Sequence, residues 1–99
     1  MNHDLLTVVA ELHAKPGKED ELRRELLAVV EPTRKDEGCV QYNLHVATDD
    51  AGHFVFYENW TSRETLDRHM ATPHLARLLA IAPDLLSEPP RIVTYTRTA

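Results

Sequence analysis

Three side chains suited to acid–base chemistry and hydrogen bonding, Glu58, Trp60 and His69, lie within a short stretch of the sequence. The run 53–60 alternates in the pattern of a strand, so Glu58 shares one face with Phe56 and Trp60. A carboxylate in an aromatic row must find a partner, stay protonated or meet solvent in a cavity, because burying an unpaired charge costs several kcal/mol or more. Glu58 is therefore the first residue to explain, and desolvation would raise its pKa.

The same residues have structural explanations that the sequence leaves open. Trp60 could be only a core side chain near a strand end, since a buried tryptophan usually packs. Glu58 could form a structural ion pair with His69, Arg68 or Arg91. His69 could be purely structural, an alternative base, or the partner that keeps Glu58 ionised.

Length and charge exclude several classes of protein. With 99 residues, the chain is predicted to be a single domain over residues 1–99. A formal net charge of -5 and a pI near 5.6 argue against nucleic acid or an anionic membrane as a partner.

Cys39 is the single cysteine, and no apolar run approaches the roughly 18 residues that span a bilayer. The N-terminus lacks the pattern of a secretory signal, so a cytoplasmic location is expected.

Alternation and helical spacing divide the chain into four strands and two helical regions. The strands are predicted at 5–13, 39–47, 53–60 and 91–97. A helix is predicted from about 18 to 35, bent or ended near Pro32, with an inward stripe of Leu22, Leu26, Leu27, Val29 and Val30. The turn residues 49–52 predict a hairpin that brings Tyr42 beside the row that contains Glu58.

The second helical region has two start signals. Thr61 and Glu64 have the spacing of a capping box. Thr72 followed by Pro73 predicts an N-cap and a first helical residue, so a kink is expected before them. Pro83 and the run 87–90 are predicted to end this region.

The predicted order βαββαβ indicates an α+β, ferredoxin-like fold, with both helical regions on one face of a four-stranded antiparallel sheet. The opposite face would carry apolar residues, including Leu5, Val9, Val55 and Tyr57. This is more apolar surface than a small domain usually exposes to solvent. We expect this face to be covered by the same face of a second copy, which gives a homodimer whose sheets form a barrel.

Several runs of the sequence together resemble one known family. They are AKPGKE at 14–19, EPTR at 31–34, EGCVQY at 37–42, FVFYENW at 54–60, and His69 followed by TPHL at 72–75. In this order and spacing they are similar to the antibiotic biosynthesis monooxygenase (ABM) domain, and most similar to its small bacterial quinol monooxygenase group. The resemblance extends over nearly the whole chain.

This resemblance implies a dimeric α+β barrel with a pocket between sheet and helices in each subunit. It also implies oxidation of phenolic or anthrone-type substrates by molecular oxygen as co-substrate, with neither metal nor flavin as cofactor. The sequence is consistent with a reaction that needs neither metal nor flavin, since it has no glycine-rich nucleotide loop and no short-spaced set of metal ligands.

Cofactor-free oxygenation requires a base, hydrogen bonds that hold an anionic substrate and an apolar chamber. Glu58 or His69 is the expected base, and Trp60 the expected donor to a substrate oxygen. The residues expected to contact substrate are Tyr42, Phe56, Met70 and His74. Tyr42 could instead be core with its hydroxyl at the pocket edge, and His74 could be a solvated residue of a first helical turn.

The resulting hypothesis is a cofactor-independent monooxygenase that oxidises a quinol or a similar small aromatic compound. Two alternatives remain open at this point. One is an acid–base isomerase of a small carbonyl compound, such as a sugar phosphate. The other is a non-catalytic, dimeric ligand-binding or stress-response module.

Overall fold

The computed structural model describes residues 5–99. The strands are β1 (Leu6–His13), β2 (Cys39–Ala47), β3 (Asp50–Trp60) and β4 (Arg91–Thr96). The helices are α1 (Glu19–Ala28), α2 (Val30–Arg34), α3 (Arg63–Met70) and α4 (Pro73–Leu85). Within residues 5–99, no helix is long and apolar enough to cross a membrane.

The four strands form one antiparallel sheet in the order β2-β3-β1-β4, which confirms the predicted α+β, ferredoxin-like arrangement. β1 and β3 pair along their length, from Leu6 opposite Trp60 to His13 opposite His53. In β2, Tyr42 stands opposite Glu58, as the hairpin predicted. The sheet therefore presents an inner face toward the helices and an outer face away from them.

The prediction of one helix from about 18 to 35 is wrong in one respect. The structure has two helices there, which meet at Val29. Pro32 explains the break. Its nitrogen has no hydrogen to donate to the carbonyl of Ala28, and its ring crowds that carbonyl. The amide of Val29 instead donates to the carbonyl of Leu26 at 3.3 Å, which tightens the last turn of α1.

α3 begins one residue later than predicted. Ser62 is the N-cap, and its hydroxyl accepts a hydrogen bond from the Thr65 amide at 3.2 Å. The Thr65 hydroxyl in turn accepts from the Ser62 amide at 3.3 Å, which completes a capping box. The predicted box between Thr61 and Glu64 is therefore wrong, because a threonine fills the role expected of the glutamate.

The start of α4 is as predicted, but its end is not. The hydroxyl of Thr72 accepts from the Leu75 amide at 3.4 Å, and Pro73 is the first helical residue. α3 and α4 are two separate helices rather than one kinked helix. Pro83 was predicted to end the helix, but it lies inside α4, which continues to Leu85.

Two details of β2 and β3 also differ from the prediction. The hairpin turn consists of residues 48–49, because Asp50 and Gly52 already belong to β3. A β-bulge between Cys39 and Gln41 leaves Val40 as an extra residue, which simple alternation cannot show. Val40 is 55% exposed and does not share the buried position of Tyr42.

The core lies between the inner face and the helices. It is formed mainly by apolar side chains such as Val8, Leu12, Phe54, Leu22, Leu26, Leu75 and Leu78. Leu27 was predicted to face inward but is 51% exposed. Consecutive residues of a helix point about 100° apart, so Leu26 and Leu27 cannot both be directed at the core.

The outer face exposes large apolar side chains. Val40, Tyr57 and Tyr95 are between 39% and 55% exposed. Ile92 stands opposite Ala10 and therefore belongs to the inner face, whereas Val93 stands opposite Val9 on the outer one. The register therefore assigns these two neighbouring residues to opposite faces of the sheet.

Candidate active site

A cavity of about 370 Å³ lies between the inner face of the sheet and helices α3 and α4. Its volume falls within the roughly 300–1,000 Å³ of small-molecule sites. Most of its wall is apolar, with contributions from Val8, Ala10, Leu66, Leu75, Leu78 and Ile92. The buried side chains of Glu58 and His69 line the same cavity.

Glu58 is held by the strand that carries it. Trp60 lies two residues further along β3 on the same face, and its Nε1–H donates to Glu58 Oε1 at 2.9 Å. Glu58 is 4% exposed, and this burial raises the pKa of its carboxyl to about 7 against the opposing effect of the Trp60 hydrogen bond. Because Trp60 engages Oε1, Oε2 is the oxygen left for a proton or a bound ligand.

The ion pair that the sequence allowed for Glu58 does not form among the described residues. Arg68 pairs instead with Glu37 at 2.7 Å and with Glu64 at 3.7 Å. His69 contacts a different carboxylate, that of Asp36. Glu58 is therefore a buried acid held by one neutral donor, which is why burial dominates its pKa.

A carboxylate from the segment between α2 and β2 orients the ring of His69. Its Nδ1 lies 3.2 Å from Oδ2 of Asp36, and Nε2 of His74 lies 2.9 Å from the same oxygen. An ionised carboxylate only accepts hydrogen bonds, so His69 must carry its proton on Nδ1 in this contact. Its Nε2 is then an unprotonated acceptor, and burial lowers the pKa of the ring against the opposing effect of Asp36.

Aromatic rings surround this acid–base pair. Tyr42 stacks on Phe56 with ring centroids 4.7 Å apart and meets His69 edge-on at 5.5 Å. The ring of His69 also lies 4.6 Å from that of Trp60. Tyr42 is 2% exposed, and burial raises the pKa of its hydroxyl well above the ordinary value, so it stays protonated.

The predicted site residues divide into two groups by position. Glu58, His69, Tyr42, Phe56 and Met70 all line the cavity. Two others lie behind it. Trp60 is 0% exposed and contacts Glu58 from within the core, and His74 reaches the cavity only indirectly, through Asp36 and His69.

Sequence reasoning missed Asp36 altogether. It lies between α2 and β2, 33 residues before His69, and no local pattern connects the two. It also missed Arg63 and Asp67 of α3, which line the cavity, and Thr94 of β4. The helical period could have indicated the first pair, since residues four apart share a helix face.

Among residues 5–99, two groups of carboxylates and imidazoles have ligand atoms within 4.8 Å of one another and could hold a metal ion. One is Asp36, His69 and His74, beside the cavity. The other is Glu11, His13 and His53, on the outer face of the sheet. In the first group, both rings already bond to one carboxylate oxygen.

Known proteins match both the sequence and the fold. The family model described as Antibiotic biosynthesis monooxygenase matches residues 5–80. "Putative monooxygenase Rv0793" of Mycobacterium tuberculosis is 34% identical over 84 residues, which is 85% of this chain and 82% of that protein. The structure of PA3566 from Pseudomonas aeruginosa has a TM-score of 0.91 at 37% identity and covers 96% of this chain and 95% of its own.

A further relative is longer than this chain. "Uncharacterized protein sll1783" of Synechocystis is 32% identical over 92 residues, or 93% of this chain. The matched region is only 63% of the length of that relative.

Proposed function

The chain belongs to the antibiotic biosynthesis monooxygenase family, which supports a monooxygenase-type activity, and from this premise we propose a cofactor-independent oxidation of a quinol or similar small phenol. The substrate would bind in the cavity, with molecular oxygen as co-substrate. One observation carries the proposal: Glu58 and His69, both buried, line the same apolar cavity.

The first step is removal of a phenolic proton, because a phenolate gives up an electron to oxygen far more readily than a phenol. His69 is the base in this proposal. Asp36 fixes the proton on Nδ1, so Nε2 accepts the substrate proton, and the imidazolium that forms is stabilised by the carboxylate. Asp36 thus acts as a positioning residue.

Glu58 is the second acid–base group. With a pKa of about 7, its carboxyl is present in both protonation states near neutral pH. Protonated, it donates a hydrogen bond from Oε2 to the phenolate oxygen; ionised, it accepts the ring proton that must leave later. Trp60 holds the other oxygen and is therefore a positioning residue rather than a direct donor to substrate.

The reaction balances without a cofactor. The phenolate transfers one electron to oxygen, and the radical pair recombines to form a carbon–oxygen bond and a hydroperoxide. Loss of the ring proton to the base and cleavage of the O–O bond then release water. A hydroquinone and one oxygen molecule give a hydroxyquinone and one water, so all four electrons come from the substrate.

The cavity wall suits this sequence of steps. Apolar side chains and the stacked rings of Tyr42 and Phe56 keep water from the radical pair and offer flat surfaces to an aromatic substrate. Met70, 36% exposed, lies at the edge of this wall and would meet substrate as it enters.

Oxygen consumption tests the proposal. Purified protein, treated with a chelator and free of flavin, should consume oxygen when a naphthohydroquinone is added, faster than the spontaneous oxidation. No uptake above the spontaneous rate across a panel of hydroquinones and anthrones would contradict it. Product formed from a carbonyl substrate under anaerobic conditions would instead support an acid–base isomerase.

The outer face supports a second part of the proposal, a homodimer. Val40, Tyr57 and Tyr95 expose apolar surface that a second copy of the same face would cover. Sedimentation at micromolar concentration should give twice the 11.3 kDa mass of the chain. A sedimenting species of the monomer mass would contradict the dimer but leave the cavity chemistry standing.

A further inference from the structure

We propose that one corner of the outer sheet face is a binding site for a divalent cation of the zinc type, formed by Glu11, His13, His53 and Glu88. The register of the sheet assembles the first three. His13 stands directly opposite His53 in the β1–β3 pairing, and Glu11 lies two residues before His13 on the same face. Three ligand-bearing side chains thus share one corner on two adjacent strands.

The side-chain atoms in this corner already converge. Nε2 of His53 lies 2.9 Å from Oε2 of Glu11, and the rings of His13 and His53 stack with centroids 4.2 Å apart. One carboxylate oxygen and two ring nitrogens of this trio lie within 4.8 Å of one another. Nε2 of His13 faces a second carboxylate, with Oε1 of Glu88 at 3.6 Å.

Glu88 comes from a third segment, the loop between α4 and β4, which is fastened to the end of β1. The amide of Ser87, the neighbour of Glu88, donates to the carbonyl of His13 at 2.9 Å, and the Ser87 hydroxyl donates to the same oxygen at 3.2 Å. The amide of Lys15 donates to the carbonyl of Leu85 at 2.8 Å. The backbone that carries the fourth ligand is therefore fixed beside His13.

Two imidazoles and two carboxylates match what zinc prefers. Bonds of about 2.0–2.1 Å in a tetrahedral site place neighbouring ligand atoms roughly 3.3 Å apart. The observed contacts of 2.9 and 3.6 Å lie on either side of that separation. Zinc binds carboxylate oxygens and the unprotonated nitrogen of an imidazole, so both residue types of this corner offer it suitable ligand atoms.

Arg91 is the cation that competes for this corner. It stands opposite Glu11 in the β1–β4 pairing and so shares the outer face with it. A bound dication would have to offset the attraction of Glu11 to this guanidinium. Arg91→Gln is therefore expected to tighten metal binding.

This corner differs from the Asp36, His69 and His74 group in its accessibility. Side chains of His13, His53 and Glu11 are 27–33% exposed, whereas His69 is 2% exposed. In a single chain, an ion can therefore reach the corner without opening the core. Once bound, it would join β1, β3 and the α4–β4 loop, and it would stabilise the folded chain because it binds that state alone.

The test uses untagged full-length protein titrated with zinc chloride in a calorimeter, and with cobalt chloride in a spectrophotometer. We expect one ion per chain, a visible cobalt spectrum of tetrahedral type, and a thermal midpoint raised by about 5 °C or more at hundredfold excess over the dissociation constant. His13→Gln and His53→Gln should each weaken binding at least about tenfold, as loss of one good ligand does.

Two variants serve as controls. His45→Gln removes an exposed imidazole from β2, and His74→Gln disables the group beside the cavity. Both should bind zinc as the wild type does. Binding that is lost in His74→Gln and retained in His53→Gln, or no saturable binding in the wild type, would overturn the proposal. Circular dichroism of each variant confirms that the chain is folded.

Discussion

Two histidine–carboxylate pairs of similar length lie on opposite faces of the sheet. His69 lies 3.2 Å from Asp36 on the inner side, and His53 lies 2.9 Å from Glu11 on the outer side. Their surroundings differ sharply, because His69 is 2% exposed and His53 is 27% exposed. Contact distance alone therefore does not distinguish a pair beside the cavity from a pair at the surface.

Burial decides what each pair can do. At the cavity, desolvation lowers the pKa of His69 and raises that of Glu58, and in our proposal these two groups transfer protons. At the outer-face pair of Glu11 and His53, solvent screens electrostatic interactions, and an incoming ion can reach both side chains. In our proposals, the same two residue types therefore serve acid–base chemistry on one face and ion binding on the other.

The largest expected effect is on activity. Glu58→Gln and His69→Ala should each lower hydroquinone-dependent oxygen uptake by about 10²–10⁴-fold, the usual contribution of a positioned acid or base. His45→Gln, which removes an exposed imidazole from β2, should keep the wild-type rate. A variant of Glu58 or His69 that retains the wild-type rate would remove that residue from the mechanism.

The next effect concerns stability against pH. Folding raises the pKa of Glu58 from an ordinary 4.5 to about 7, so its contribution is fully present below pH 4.5 and is lost as the pH rises through 7. Relative to Glu58→Gln, the wild type should lose about 3 kcal/mol of unfolding free energy across this window. Urea unfolding at a series of pH values measures the difference. Parallel stability curves would show that Glu58 is not held in a desolvated site.

The smallest effect compares the two pairs directly. Asp36→Asn should cost about 1.5–3 kcal/mol of unfolding free energy, because it weakens the hydrogen bond between a carboxylate and the buried ring of His69. Glu11→Gln in metal-free protein should cost less than about 1 kcal/mol, because its contact with His53 is partly open to solvent. Chemical unfolding of both variants at neutral pH provides the comparison. Equal losses would mean that burial does not separate the two pairs.

Much of the fold could be predicted from local patterns. Alternation gave β2 its observed bounds, 39–47, and the hairpin placed Tyr42 beside Glu58. Thr72 and Pro73 marked the start of α4 correctly because capping depends on adjacent residues. The errors arose where two local signals competed, as at Ser62 beside Thr61, or where a bulge interrupted the alternation at Val40.

The site was less accessible to sequence reasoning, because its decisive contacts are tertiary. Glu58 was recognisable as an acid in an aromatic row. Trp60, however, was expected to donate a hydrogen bond to a substrate oxygen, and in the structure it donates to Glu58. Asp36 comes from a different segment than His69, and only the packing of α3 against the turn before β2 brings them together. Spacing along the chain carries no information about such a pair.

Isotope labelling tests the central claim most directly. Chelator-treated, flavin-free protein should convert a hydroquinone under ¹⁸O₂ into a product that contains one labelled oxygen atom, with the second atom recovered in water. Label incorporation should fall with the rate in Glu58→Gln and His69→Ala. A product without label, or labelled product formed equally well by both variants, would contradict oxygenation by the acid–base pair in the cavity.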